Sequence, residues 1–329
     1  MSSPSRSENE EIVRNFRKAA KLKRIYRCAS TDDLGKFSSD VDEARGSLEN
    51  DIAANIIFNK AGLILDLRSS SERNEDLARK WMSNHEFEVL VHSRNGNSKE
   101  SSFNYNNNDA FKRIVYRIDV LSPQRLFDYM AKNWIDDSIQ KASYTFASIF
   151  DTQKLHEQRM DILNEKGIQG TYEAMLQTSD EELSSALKAI TTYLENNSSG
   201  DVIVHCVQGK DRTGLVIMLC QSILGIDDDT IIEDYHKSEQ LLRKKEESAA
   251  MVSVVNSQKP KKGKLNKAFF RVSPREAMIE TLAFLRREHG TIHNYLDFIG
   301  FDKSWRERFL TVANEKDMGT RVSQRQSKL

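Results

Sequence analysis

The chain has 329 residues, with 49 basic and 49 acidic side chains that leave a formal net charge of zero at pH 7. Balanced charge argues against nucleic acid as a general partner, and no apolar run approaches the roughly 18–20 residues of a membrane span; the longest relevant one, Leu215 to Cys220, has six. Three cysteines (Cys28, Cys206 and Cys220) make no disulfide framework in so long a chain, and the N-terminus has no hydrophobic signal core, so a cytosolic protein is expected.

Residues 1–10 are polar and predicted to be disordered, as are 315–329. Between them, Gly62–Leu67, Phe87–Val91, Ile114–Val120 and Val202–His205 read as short strands, rich in β-branched and apolar residues and separated by helical stretches. Continuous apolar strands of this kind suit a sheet covered on both faces. Leu183, Leu187, Ile190, Tyr193 and Leu194 fall on one helical face, which Ser198-Ser199-Gly200 ends before the fourth strand. Two stretches break the pattern: the Asn/Ser-rich 94–108 and the segment 243–267, whose lysines cluster at 259–264. With four prolines and no Pro/Ser/Gly linker, the expectation is one α/β domain over 11–314, with insertions at 94–108 and 243–267.

The most informative segment is 205–214, His-Cys-Val-Gln-Gly-Lys-Asp-Arg-Thr-Gly. It joins the strand ending at His205 to a helical pattern from Thr213 to Leu224. Five residues between Cys206 and Arg212 allow the backbone to curl round one tetrahedral oxyanion, the N–H groups of Val207, Gln208, Gly209, Lys210, Asp211 and Arg212 pointing inward as a nest. The helix N-terminus adds its own N–H groups and dipole. The same field favours the thiolate form of Cys206, while Arg212 offers a bidentate clamp for two phosphoryl oxygens.

Other readings of this loop fail on spacing. A Walker nucleotide loop needs Ser or Thr after the Lys and a Gly five positions before the second Gly, but Asp211 follows Lys210 and Val204 stands where that first Gly belongs. No Cys-x-x-Cys pair is present for zinc. A buried structural thiol is the usual fate of a free cysteine, but the surrounding His, Gly-Lys-Asp-Arg-Thr-Gly and strand-loop-helix context favour a reactive one.

These residues resemble the active-site loop of the cysteine-dependent protein tyrosine phosphatase superfamily, and within it the bacterial and fungal tyrosine/serine phosphatases, some of which also act on phosphoinositides. The resemblance extends to Asn15-Phe16-Arg17, Tyr26-Arg27-Cys28-Ala29-Ser30, Asp66-Leu67-Arg68-Ser69 with Glu72-Arg73, Gly225-Ile226, Asp234-Tyr235 and His289-Gly290 with Tyr295-Leu296 and Gly300, in the family's order. It implies a phosphotyrosine-phosphatase-like α/β fold, with a central, mostly parallel sheet flanked by helices on both faces. It also implies hydrolysis of phosphotyrosine, and of phosphoserine and phosphothreonine in a dual-specificity enzyme, without metal or cofactor.

In that scheme the Cys206 thiolate attacks phosphorus in line and water then hydrolyses the cysteinyl-phosphate. By the resemblance, Thr213 hydrogen-bonds the sulfur and His205 orders the loop. The leaving oxygen needs a proton, and two donors stand open: Asp119, at the end of the strand Ile114–Ile118, and Asp211, inside the loop, where the myotubularin phosphatases also carry an Asp before the Arg. Lys210 is expected as a second cation at the pocket floor, which goes with tolerance for highly anionic substrates. Asp66 and Arg68 are expected to brace the sheet and the loop rather than touch substrate.

A phosphoinositide phosphatase is the alternative activity, favoured by Lys210 and by a 259–264 cluster that is either a solvated loop or a contact with an anionic membrane surface. A phosphoprotein-binding pseudophosphatase is disfavoured because Cys206 and Arg212 are both present. A monomer acting on a phosphorylated protein or phosphoinositide is expected.

Overall fold

The computed structural model describes residues 13–36, 52–94, 112–242, 262–267 and 270–314. The expectations for 1–10, 95–108, 243–261 and 315–329 therefore lie outside the described residues. Six strands are present among the described residues: β1 (Arg17–Lys18), β2 (Ile25–Cys28), β3 (Ala61–Asp66), β4 (Phe87–Val91), β5 (Arg113–Arg117) and β6 (Asp201–His205). They form one sheet in the order β1-β2-β6-β3-β5-β4, parallel throughout except for the antiparallel β1–β2 pair at one edge. The chain has the mixed, mostly parallel α/β architecture read from its sequence.

Three of the four expected strands coincide with observed ones to within a residue at each end. The fourth, Ile114–Val120, pairs only to Arg117; Ile118 still donates its N–H to Asp66 O at 2.9 Å, after which the chain leaves the ladder. The sequence reading did not foresee β1 and β2. In β2 the alternation is disguised because its third residue, Arg27, is a fully buried charge (1% exposed) rather than an apolar side chain.

Eleven α-helices are described: α1 (Ile52–Asn59), α2 (Glu75–Asn84), α3 (Pro123–Asn133), α4 (Ser138–Phe150), α5 (Thr152–Thr178), α6 (Asp180–Asn196), α7 (Asp211–Ile223), α8 (Asp228–Leu242), α9 (Arg275–His289), α10 (Ile292–Phe298) and α11 (Lys303–Ala313). Every residue of β6 is buried, Val202 and Val204 facing one core and Ile203 the other. The larger core receives the predicted face of α6 (Leu183, Leu187, Ile190, Tyr193, Leu194) and the apolar run Leu215–Cys220 of α7. Each such Leu or Ile contributes about 1.5–3 kcal/mol through removal from water. Helices α1 and α2 close the opposite face, with Ile57, Ala78 and Trp81 against Ile64 and Ile203.

Helix α5 changes direction at Gly167, whose φ of 64° is open to glycine at little cost. Before the break, Leu155, Ile162 and Leu163 pack with α3 and α4; after it, Ile168, Tyr172 and Met175 join the main core. The break brings Tyr172 to the start of α7. Among the described residues no helix is long and apolar enough to cross a membrane.

Candidate active site

The loop 206–210 leaves the carboxyl end of β6, the strand between β2 and β3, and runs into α7. The carboxyl ends of parallel strands are where open α/β sheets bind ligands. Cys206 is buried at the loop's base (1% exposed). From there the loop's carbonyls are turned outward and bonded: Ser30 N–H donates to Val207 O at 3.0 Å, and Asn15 Nδ2 to Gln208 O at 2.9 Å and Gly209 O at 3.0 Å. Arg27 Nη2 also donates to Gly209 O at 2.9 Å and reaches Lys210 O at 3.4 Å. Among the described residues, none of the backbone N–H groups of 207–213 donates a hydrogen bond. A turn whose carbonyls are bonded by neighbouring segments and whose N–H groups lack acceptors among the described residues has the donors that an anion nest needs.

Sequence segments far from the loop hold it in this form. Arg27 and Arg17 share Asp234, at 3.0 Å and 3.3 Å, so the Asn15–Arg17, Tyr26–Arg27 and Asp234–Tyr235 segments converge on one side of residues 208–210. Gly209, at φ 64°, lies so close to β2 that a Cβ there would stand 2.0 Å from Cys28 O. On the other side, Cys28, His205 and Asp66 occupy one rung of the sheet. His205 Nδ1 is 3.4 Å from Cys206 O, and its Nε2 lies 3.9 Å from Asp66 Oδ1. Burial keeps the His205 ring neutral, outweighing the attraction of Asp66 and lowering its proton affinity to about 4. Arg68 is buried between two carboxylates, at 2.8 Å and 3.0 Å from Asp66 and 2.7 Å and 2.9 Å from Asp32. Arg68 Nη1 also donates at 2.8 Å to the hydroxyl of Ser30, the residue whose N–H bonds Val207 O.

Arg212 is gripped in a bidentate pair, Nη1 donating to Glu72 Oε2 at 2.6 Å and Nη2 to Oε1 at 2.8 Å. Glu72 is itself fixed, because Ser69 donates to its Oε2 from the backbone N–H at 2.9 Å and from the hydroxyl at 3.0 Å. Burial alone would push the Glu72 carboxyl up; the Arg212 hydrogen bonds and charge reverse this and bring it down to about 2. The guanidinium plane is thereby set in advance, within α7's first turn.

A thiol, a nest of unpaired N–H groups and a pre-set guanidinium are the parts of a phosphate-processing loop. The tyrosine phosphatase family matches the chain over residues 59–311. The chain belongs to that family. A relative among characterised proteins, the triple specificity protein phosphatase PtpB of Mycobacterium tuberculosis, is 42% identical over 53 residues. That stretch is 16% of this chain and 18% of PtpB.

Within this tyrosine phosphatase fold, the remaining candidate residues are placed as follows. Thr213 is fully buried next to Arg212, and its hydroxyl makes no hydrogen bond among the described residues. Lys210, expected as a cation on the pocket floor, is buried with its ammonium on Phe270 O at 3.0 Å, Val272 O at 2.9 Å and Asp211 Oδ1 at 2.9 Å. These contacts tie the loop to the segment before α9. Asp211 opens α7, where its charge suits the helix dipole, and its Oδ1 also accepts from Tyr172 at 2.6 Å.

Asp119 follows β5, which β3 separates from β6 in the sheet. It lines an open cleft of about 220 Å³ with His92, Arg94, Ser122, Arg125 and Glu182. Its Oδ1 accepts the Leu121 N–H at 3.2 Å, a local turn, and Arg125 Nη2 donates to its backbone O at 3.1 Å. Glu72, Asn15, Arg27 and Tyr172 are the site residues that sequence reasoning did not single out. The first three stood inside the family-like segments, which was the available signal; Tyr172 had none.

Proposed function

We propose that the protein is a cysteine-dependent phosphatase that hydrolyses phosphotyrosine monoesters through a cysteinyl-phosphate. The observation that carries this is the state of the loop: carbonyls of 207–210 bonded by neighbouring segments, N–H groups of 207–213 without an acceptor among the described residues, and Arg212 fixed by Glu72. Phosphoryl transfer asks chiefly for positioning and charge neutralisation, and the loop amides and Arg212 supply both. Cys206 is the nucleophile, Arg212 and the amides hold the equatorial oxygens in both half-reactions, and Thr213, whose buried hydroxyl has no partner among the described residues, is the donor to the departing sulfur. His205, neutral and buried, sets the start of the loop. Asp211 is the better-placed proton donor of the two candidates, because it belongs to the loop and its second carboxylate oxygen is unbonded among the described residues, whereas Asp119 faces another cleft.

The name of the M. tuberculosis relative supports extending the range to phosphoserine and phosphothreonine. A phosphoinositide substrate draws less support than the sequence suggested, since the Lys210 ammonium is engaged by backbone carbonyls. The deciding experiment is hydrolysis of p-nitrophenyl phosphate in metal-free buffer, beside Cys206→Ser. An inert wild type, or a Ser variant of equal activity, overturns the reading. A phosphopeptide and phosphoinositide panel on the same sample then assigns the substrate class.

A further inference from the structure

Behind the loop, two tyrosines form a short hydrogen-bonded chain that ends on Asp211. Tyr172, in α5 just past the Gly167 break, and Tyr235, in α8, are each 1% exposed. Their rings meet edge to face with centroids 6.1 Å apart, and their hydroxyl oxygens are 2.9 Å apart. Tyr172 donates to Asp211 Oδ1 at 2.6 Å. A phenol has one proton to give. That of Tyr172 goes to Asp211, so the bond between the hydroxyls is donated by Tyr235, and the chain runs from Tyr235 to Tyr172 to Asp211. Burial pushes both phenols well above their ordinary range, so both remain protonated donors at neutral pH.

Lys210 Nζ also lies 2.9 Å from Asp211 Oδ1, so this one oxygen faces two donors while Oδ2 has none among the described residues. An oxygen already accepting two hydrogen bonds, one of them charge-assisted, is the poorer site for a proton. Oδ2 is therefore the oxygen open to a transferable proton.

We propose that Tyr172, backed by Tyr235, is a positioning residue for Asp211 that orients the carboxyl so its proton is delivered from Oδ2 to the leaving oxygen. This rests on the reading of Asp211 as the general acid. As the Cys206 sulfur bonds phosphorus and the ester P–O bond breaks, the Oδ2–H bond breaks and its proton goes to the departing oxygen. Tyr172 and Lys210 stabilise the carboxylate that remains. In the second half-reaction Oδ2 takes a proton from the attacking water as its oxygen bonds phosphorus and the thiolate leaves.

The test compares phenyl phosphate, a poor leaving group, with p-nitrophenyl phosphate, a good one, for Tyr172→Phe, Tyr235→Phe, Asp211→Asn and the Asp211→Asn/Tyr172→Phe double variant. Tyr172→Phe is expected to lower kcat about tenfold on phenyl phosphate and about twofold on p-nitrophenyl phosphate at constant KM. Tyr235→Phe should show the same pattern at about threefold, and the double variant should lose nothing beyond Asp211→Asn. Thermal midpoints report folding, and Tyr235→Phe carries the test should Tyr172→Phe not fold. Equal losses on both substrates, a change confined to KM, or additivity with Asp211→Asn overturns the proposal. An Asp211→Asn enzyme with wild-type leaving-group dependence overturns the acid assignment and the proposal together. A leaving-group effect in Asp211→Asn but in neither Tyr variant overturns the positioning role alone.

Discussion

Two places near the carboxyl edge of the sheet bring arginine and carboxylate together, the loop after β6 and the cleft around Asp119, and they differ in what is left unbonded. In the cleft, Arg94 is paired with Asp180, Glu181 and Glu182, and Arg125 with Glu182, so four acidic groups including Asp119 surround two arginines. The site is electrostatically closed to an anion. At the loop, Arg212 faces one carboxylate, and seven consecutive amides have no acceptor among the described residues. An anion site is recognised by its unsatisfied donors, not by its count of positive charges.

Substitutions can break or sharpen that contrast, beginning with the largest effect. Cys206→Ser should remove hydrolysis by roughly 10⁴-fold or more while leaving the fold intact, since the nucleophile is lost; steady-state rates beside circular dichroism check it. Arg212→Lys keeps the charge but loses the planar fork and should cost about a hundredfold in kcat/KM; an equal loss for Arg125→Lys would erase the distinction between the two places. Asp211→Asn should lower kcat on phenyl phosphate about a hundredfold and Asp119→Asn no more than about twofold, and the reverse ranking would move the proton donor into the cleft. Glu72→Gln should cost about tenfold in kcat/KM and lower the thermal midpoint, because a buried guanidinium loses its ionic partner.

The smallest effect is in pH. His205 is held near 4 by burial against a free value of 6.5, so the unfolded chain binds more protons in that window. Stability is full above 6.5 and declines as pH falls toward 4; His205→Gln should flatten the decline, read from urea midpoints at pH 7 and pH 5.

How far the site could be read from sequence follows from distance along the chain. Thiol, amides and guanidinium lie within ten residues, so their spacing alone marks them as candidates. The partners that set their geometry do not: Glu72 is 140 residues from Arg212, Arg27 is 182 from Gly209, and Tyr172 is 39 from Asp211. Strand β6 was legible because both its faces are apolar, whereas β2 was not because the buried Arg27 interrupts the pattern a strand shows. Where Asp119 lies relative to the loop was hidden for a similar reason. Its position at the end of β5 is visible in sequence, but the sheet order that separates β5 from β6 by β3 is not.

The Lys210 ammonium has a consequence in time as well as in space. The carbonyls that receive it lie 60 and 62 residues downstream, just before α9. During synthesis the whole Cys206–Arg212 segment emerges well before they do, and a lysine buried without acceptors is strongly disfavoured. The nascent chain thus carries Cys206 and Arg212 before the loop between them can settle, and that loop matures late, once the segment before α9 arrives with carbonyls for that one charge.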